Sequence, residues 1–290
     1  MNTKGIIIDG KLISQKIKDE LRLKVQQHNN KHDTQIGLAV VLVGENQASQ
    51  VYVRNKVKAC DQVGIKSFVH KLDETISADE VTSLIKELNN NPNINGILIQ
   101  LPLPKHLNED KILALVDPSK DVDGFHIHNA AGLFLGHHIS QSTQTPILYP
   151  CTPSGIIELV KSTGESIEGK HAVVIGRSNI VGKPVAMMLL SLGCTVTICH
   201  SKTKDLPSIT KQADILVVAI GRKEFISGDM VKPGSIVIDV GINRHEGKIY
   251  GDVNFDQAKQ IAKHITPVPG GVGPMTIAML LSNTLKASEK

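Results

Sequence analysis

Tyr52 and Lys56, in the stretch QVYVRNK, are four residues apart. On a helix that spacing sets a phenol and an ammonium on one face, about a turn from each other, with Val51, Val53 and Val57 around them. If that face is turned inward, the two line a pocket. The same spacing also describes an exposed pair on a solvated helix face. The rest of the chain has to decide between the two.

A second constellation is the stretch VVIGRSNIVGKPVAMMLL, where a glycine-bearing turn joins an apolar run to a helical one. Such a turn offers backbone N–H groups and a helix N-terminus to a pyrophosphate. The fit to G-x-G-x-x-G is incomplete. Gly176 matches, Ser178 and Val181 stand in the second and third glycine places, and Gly182 comes one residue late. A plain strand–turn–helix would explain the same letters.

The next apolar run ends in His200-Ser201-Lys202-Thr203, with no acid before Asp205. NAD enzymes usually place an acid there for the ribose 2′-hydroxyl. Hydroxyls and a cation suit a 2′-phosphate instead, and Arg177 is a further candidate donor. The two features together favour NADP over NAD, against the alternative of an ordinary polar loop.

These groups must be held by elements, and the apolar runs say which. GLAVVLVG (37–44), SFVHKL (67–72) and GILIQLPLP (96–104) read as buried strands bounded by Gly or Pro. Helical spacing occupies 48–63 and 77–89, the second opening on Ser77 as N-cap with Glu80 three residues on. After an unassigned Gly-, His- and Ser-rich stretch, CTPSGIIELVKSTG starts a helix with Pro153 in its first turn. A second alternating series follows in HAVVIG, TVTICH, DILVVAIG and SIVIDVGIN. The expected fold class is α/β, with two α/β domains joined near 145–150. Each has a parallel sheet covered by helices, and ligands bind beyond the strands' carboxyl ends.

Composition narrows the function classes. In 290 residues, 41% are hydrophobic and 21% charged, which describes an ordinary globular protein. The net charge of +4 suits an anionic ligand without demanding one, and there is no basic block of the nucleic-acid-binding kind. Cys60, Cys151, Cys194 and Cys199 are scattered, without C-x-x-C or zinc spacing. They read as buried apolar residues in a reducing compartment. His126, His128, His137 and His138 share one stretch but lack the H-x-x-x-H register of a metal site, so no metal is expected. The N-terminus resembles neither a signal nor a transit peptide, and no apolar run reaches membrane-spanning length. The cytoplasm is the default expectation, with neither membrane nor nucleic acid as partner.

YVRNK, GILIQLPLP, KDVDGFH, GRSNIVGKP and TPVPGGVGPMT, in that order, closely resemble the bifunctional methylenetetrahydrofolate dehydrogenase/methenyltetrahydrofolate cyclohydrolase family. The resemblance runs from about Ile8 to Leu285. It implies NADP-dependent oxidation of 5,10-methylenetetrahydrofolate to the methenyl cation, then hydrolysis to 10-formyltetrahydrofolate. It implies a folate-binding catalytic domain over 1–148 to which a C-terminal helix, 275–290, returns. A Rossmann-like NADP-binding domain would cover 149–274, with the active site in the cleft between the two domains. A homodimer is also implied.

Hydride departure needs no base, whereas the attacking water must lose a proton, and the resemblance gives that role to Lys56 with Tyr52 and Gln100 as partners. Lys56 is expected to be partly buried, hydrogen-bonded by Tyr52 or Gln100, and neutral part of the time. Asp123 of KDVDG matches the carboxylate that meets the parallel N–H donors of a pterin. The substrate set is Asp123, Tyr52, Pro269, Gly270 and Gly271. The cofactor set is Gly176, Arg177, Ser178, Ser201, Ile242, Gly273 and Thr276. A dehydrogenase without cyclohydrolase activity and a non-catalytic NADP sensor are the alternatives. Lys56 argues against the first, and the intact Tyr52, Lys56, Gln100 and Asp123 against the second.

Overall fold

The computed structural model describes residues 5–135 and 147–289. His137 and His138 lie outside the described residues.

The chain forms two compact units. One comprises residues 16–151 and 277–290, the other 1–15 and 152–276. This differs from the expected boundaries at the N-terminus. Strand β1 (Ile6–Ile7) pairs in parallel with β11 (His264–Ile265), which carries the first residues into the second unit.

The first unit is built on three parallel strands in the order β3-β2-β4. Strand β2 (Gly37–Val43) is central and buried along its whole length. Its alternate residues face opposite cores, as the two-residue period of a strand requires. Leu38, Val40 and Leu42 pack with Val53, Cys60 and Val63 of helix α2 (Gln47–Val63) and with Leu281 and Leu285 near the C-terminus. Ala39, Val41 and Val43 pack with Val81, Ile85 and Leu88 of α3 (Ala78–Asn90).

Strand β3 (Lys66–Leu72) corrects an expectation. It is a half-exposed edge strand, not a buried one, because β2 covers only one of its sides. Strand β4 (Gly96–Ile99) is shorter than the apolar run suggested. Pro102 and Pro104 have no N–H to continue a ladder, and the Leu101–Pro102 peptide is cis.

Local signals explain the helix limits. The Asn46 side chain accepts the Ser49 N–H at the start of α2, and Gly64 ends it in the left-handed region at φ 85°. At α3, Ser77 and Glu80 form a reciprocal capping box. The unassigned stretch after residue 125 contains a helix, α4 (Ile127–Leu135).

The second unit holds a six-stranded parallel sheet in the order β1-β11-β8-β7-β5-β6. Strands β5 (His171–Ile175), β7 (Ile215–Val218) and β8 (Ile236–Asp239) form its buried centre, and β6 (Thr195–Cys199) is an edge. The run SIVIDVGIN is not one strand. It leaves the sheet after Asp239 and re-enters regular structure as a hairpin, β9 (Asn243–His245) with β10 (Lys248–Tyr250).

Both sheets reverse their winding once. From β2 the chain adds β3 on one side and then β4 on the other; from β5 it adds β6 and then β7. At such a switch point the loops beyond the strand ends part and leave a crevice.

Candidate active site

The switch point of the three-stranded unit carries the lysine. Lys56 lies on the inward stripe of α2 with Ser49, Val53, Cys60 and Val63, and is 9% exposed. Its Nζ donates to Gln100 Oε1 at 3.0 Å. Gln100 follows β4 directly, and its N–H donates to Val41 O at 2.9 Å, extending the β2–β4 ladder by one rung. Its Nε2 donates to Leu101 O at 2.7 Å, so the amide oxygen is the end turned to the lysine. The opening ambiguity resolves toward the interior. Tyr52 is half-buried one turn earlier, and its hydroxyl makes no hydrogen bond among the described residues. Of the two expected partners, Gln100 takes the ammonium.

Asp123 is half-buried in the loop after a parallel bridge between Ile97 and Asp121. Burial pushes its carboxyl up to about 6; the Lys56 charge pulls the other way, and Asp121 adds to the rise. A hydrogen bond from the Cys151 thiol also favours the carboxylate. Burial, reinforced by Asp123, holds the Cys151 thiol well above its ordinary range.

Several groups that hold this loop were missed in the sequence. Asp121 Oδ2 accepts from His126 N at 2.7 Å and from Asn129 Nδ2 at 2.9 Å. Asn129, buried on α4, accepts Leu148 N at 3.1 Å. Asn283 Nδ2 donates to Val122 O and Tyr149 O at 2.9 and 2.8 Å. A carboxamide inside the apolar run IAMLLSNTLKA was the available signal for Asn283.

The switch point of the six-stranded unit carries the glycine turn. Gly176 adopts φ 122°, and a Cβ there would run into the Ala219 carbonyl beyond β7. Gly182, first residue of helix α5 (Gly182–Ser191), meets the Gly176 carbonyl without room for a side chain. The close-packing role of the third glycine therefore falls to Gly182, in a turn one residue longer than the motif.

Ser178 serves the turn itself, its Oγ accepting Val181 N at 3.1 Å and Gly182 N at 3.3 Å. The N–H groups of residues 177–180 have no acceptor among the described residues. This backbone fits a pyrophosphate. Arg177 and Ser201 are both exposed, each two residues past strand ends that are paired, Ile175 with Cys199. Ile242 is 46% exposed after β8. These residues fit a dinucleotide with a 2′-phosphate.

The TPVPGG loop has a structural task that spacing did not reveal. Gly270 O accepts Lys11 N at 3.1 Å, and a Cβ on Gly10 would strike the Gly271 carbonyl. The two glycines admit helix α1 (Gly10–His32), whatever else they admit. Pro269, after a cis peptide, is exposed. A Cβ on Gly273 would meet nothing, and the Thr276 hydroxyl lies 3.0 Å from that of Thr152. Among the described residues no group of three or more His, Cys, Asp or Glu could hold a metal, and no helix is long and apolar enough to cross a membrane.

A glycine turn at the switch point of one parallel sheet and a buried lysine at that of the other define a dinucleotide-binding α/β enzyme. The chain belongs to the tetrahydrofolate dehydrogenase/cyclohydrolase family. Residues 8–123 match its catalytic domain and residues 150–290 its NAD(P)-binding domain. It is 54% identical over 287 residues to the bifunctional protein FolD of Listeria innocua, covering 99% of this chain and 98% of the relative. The crystal structure of the Campylobacter jejuni bifunctional FolD dehydrogenase/cyclohydrolase is 52% identical, with TM-score 0.93 and 98% of each chain covered. The Trypanosoma brucei FolD, complexed with NADP cofactor and inhibitor, is 35% identical with TM-score 0.92, covering 99% of this chain and 98% of that one.

Proposed function

We propose that the chain's two reactions are served by different residue sets, with Lys56 needed for only one of them. The enzyme oxidises 5,10-methylenetetrahydrofolate to 5,10-methenyltetrahydrofolate and hydrolyses that cation to 10-formyltetrahydrofolate. Its cofactor is NADP, which when bound supplies the hydride acceptor.

In the hydrolytic step a water oxygen bonds to the methenyl carbon and loses a proton. The carbon–N5 bond then breaks as the hydroxyl gives up its remaining proton to become the formyl C=O, and N5 takes up a proton. Lys56 receives the water's proton, directly or through a relay, after the substrate cation has disfavoured an ammonium beside it. Gln100 fixes the amine's position, and Tyr52 lines the same face. The observation that carries this reading is the buried Lys56–Gln100 hydrogen bond at 3.0 Å.

Asp123 holds the pterin N–H pair, with Pro269, Gly270 and Gly271 along the substrate. Gly176, Ser178, Gly273 and Thr276 shape the cofactor's seat, Arg177 and Ser201 meet its 2′-phosphate, and Ile242 contacts it beyond β8. A cytoplasmic homodimer without nucleic-acid or membrane partners completes the proposal. Family likeness, the mild net charge and four buried free thiols support it; light scattering tests the dimer.

The deciding experiment measures methylenetetrahydrofolate oxidation with NADP and NAD side by side, and methenyl hydrolysis on the same preparation. Preference for NADP together with hydrolysis is expected. Equal catalytic efficiency with NAD would contradict the cofactor assignment, and absence of hydrolysis the role of Lys56.

A further inference from the structure

Beyond the carboxyl ends of β7 and β8, two buried aspartates bind the loops of the six-stranded unit. Asp239, the last residue of β8, accepts Gly241 N at 3.0 Å and Asp252 N at 2.9 Å on Oδ1, and Val253 N at 2.9 Å on Oδ2. Asp252 accepts Ile220 N at 2.7 Å and Gly221 N at 3.0 Å on Oδ2. Its Oδ1 accepts Arg222 N at 2.7 Å and Asn243 Nδ2 at 2.9 Å. The Asp239 N–H in turn donates to Thr266 Oγ1 at 2.8 Å.

The fit leaves no slack. A Cβ on Gly241 would collide with the Asp252 carboxylate, and one on Gly251 with that of Asp239. Asp252 is fully buried and Asp239 nearly so. Burying two acids side by side is unfavourable unless both are well hydrogen-bonded, and a single purpose unites their donors. They come from the loop after β7, the loop after β8 and the return of the β9–β10 hairpin.

Those loops lie at the edge where a parallel sheet receives its ligand. The glycine turn follows β5, and Ser201, the candidate for the 2′-phosphate, follows β6. A dinucleotide lying across the switch point therefore directs its nicotinamide half toward β7 and β8, where Ile242 is exposed between Gly241 and Asn243.

We propose that Asp239 and Asp252 are positioning residues that fix loops 220–222 and 241–243 in the conformation that receives the nicotinamide half of NADP. This rests on the cofactor placement given above.

The test is Asp252→Asn in the full chain, read by NADPH fluorescence titration and by both activities. The amide turns one acceptor into a donor facing backbone N–H groups. NADPH and NADH binding should each weaken about tenfold, with KM for NADP rising alongside and methenyl hydrolysis unchanged. Asn243→Ala, which removes one donor and spares both carboxylates, should weaken NADPH binding a few-fold, again with hydrolysis unchanged. It decides the matter if Asp252→Asn does not fold. Unchanged NADPH binding, or hydrolysis falling in step with binding, would overturn the proposal. The 2′-phosphate assignment fails separately: it is read by Arg177→Ala through the NADP-to-NAD ratio, which Asp252→Asn should leave constant.

Discussion

The two sheets of this chain place their candidate functional groups at the same topological feature but build them from different material. At the switch point of the three-stranded unit the groups are side chains withdrawn from water: Lys56 and Gln100 are each 9% exposed, and burial raises the Asp123 carboxyl to about 6. At that of the six-stranded unit the groups are backbone N–H donors and exposed side chains, Arg177 and Ser201. The difference suits the tasks proposed for the two regions. Moving a proton calls for a group whose charge burial and neighbours can shift, whereas holding a dinucleotide calls for donors fixed in place. Helix α2 shows the first arrangement, a lysine on an inward stripe with Ser49, Val53, Cys60 and Val63; the β5–α5 turn shows the second, with Gly176 and Gly182 where backbones touch.

If that contrast holds, substitutions in the two regions should fail differently. The largest effect is expected from Lys56→Met or Lys56→Arg, each lowering methenyl hydrolysis by about 10²–10⁴-fold, the usual contribution of a positioned base. Arginine fails because its guanidinium stays charged. Hydrolysis near the normal rate in either variant would return Tyr52 and Lys56 to an ordinary helix pair.

Next in size is Asp123→Asn, which should lower both activities together by roughly ten- to a hundredfold, since it opposes a donor to the pterin N–H pair. Loss of one activity alone would contradict the assignment. Folate affinity of the unmodified enzyme should also decline as pH falls through about 6, where the half-buried carboxyl gains its proton, and this dependence should vanish in the variant. The stability sign is opposite to that of a salt-bridged acid. Folding raises this carboxyl above its ordinary 3.8, so its contribution to stability is full below that value and is lost as pH rises through about 6.

Arg177→Ala should narrow NADP preference by a few-fold to about tenfold without changing hydrolysis, because an exposed charge pair is partly screened. The smallest effect is Ser77→Ala, which breaks the capping box of α3 away from both sites. It should lower stability by about 1 kcal/mol in a denaturant titration, with both activities intact.

How much of this was legible in the sequence depended on the range of the forces involved. The central strands and the α3 cap were readable because an apolar run and a Ser-x-x-Glu pair are local. SFVHKL was misread because position within a sheet is not written in a strand's own letters. Strand β1 was assigned to the wrong unit because its two residues pair with His264 and Ile265, at the far end of the chain. The spacing of Tyr52 and Lys56 left an exposed pair open, and the family resemblance, not the helix's own letters, pointed Lys56 inward. The supports of Asp123, on Asn129, Cys151 and Asn283, were not legible, since only folding brings them to one loop. Gly270 and Gly271 were read toward a ligand, while their nearest demand is the start of α1.

The central claim is that the base for hydrolysis is separable from the apparatus of hydride transfer. The most direct measurement is the ratio of methenyl hydrolysis to methylenetetrahydrofolate oxidation in one preparation of Lys56→Met. The account predicts that the ratio falls by at least about a hundredfold while NADP-dependent oxidation stays measurable. A ratio equal to that of the unmodified enzyme would contradict it.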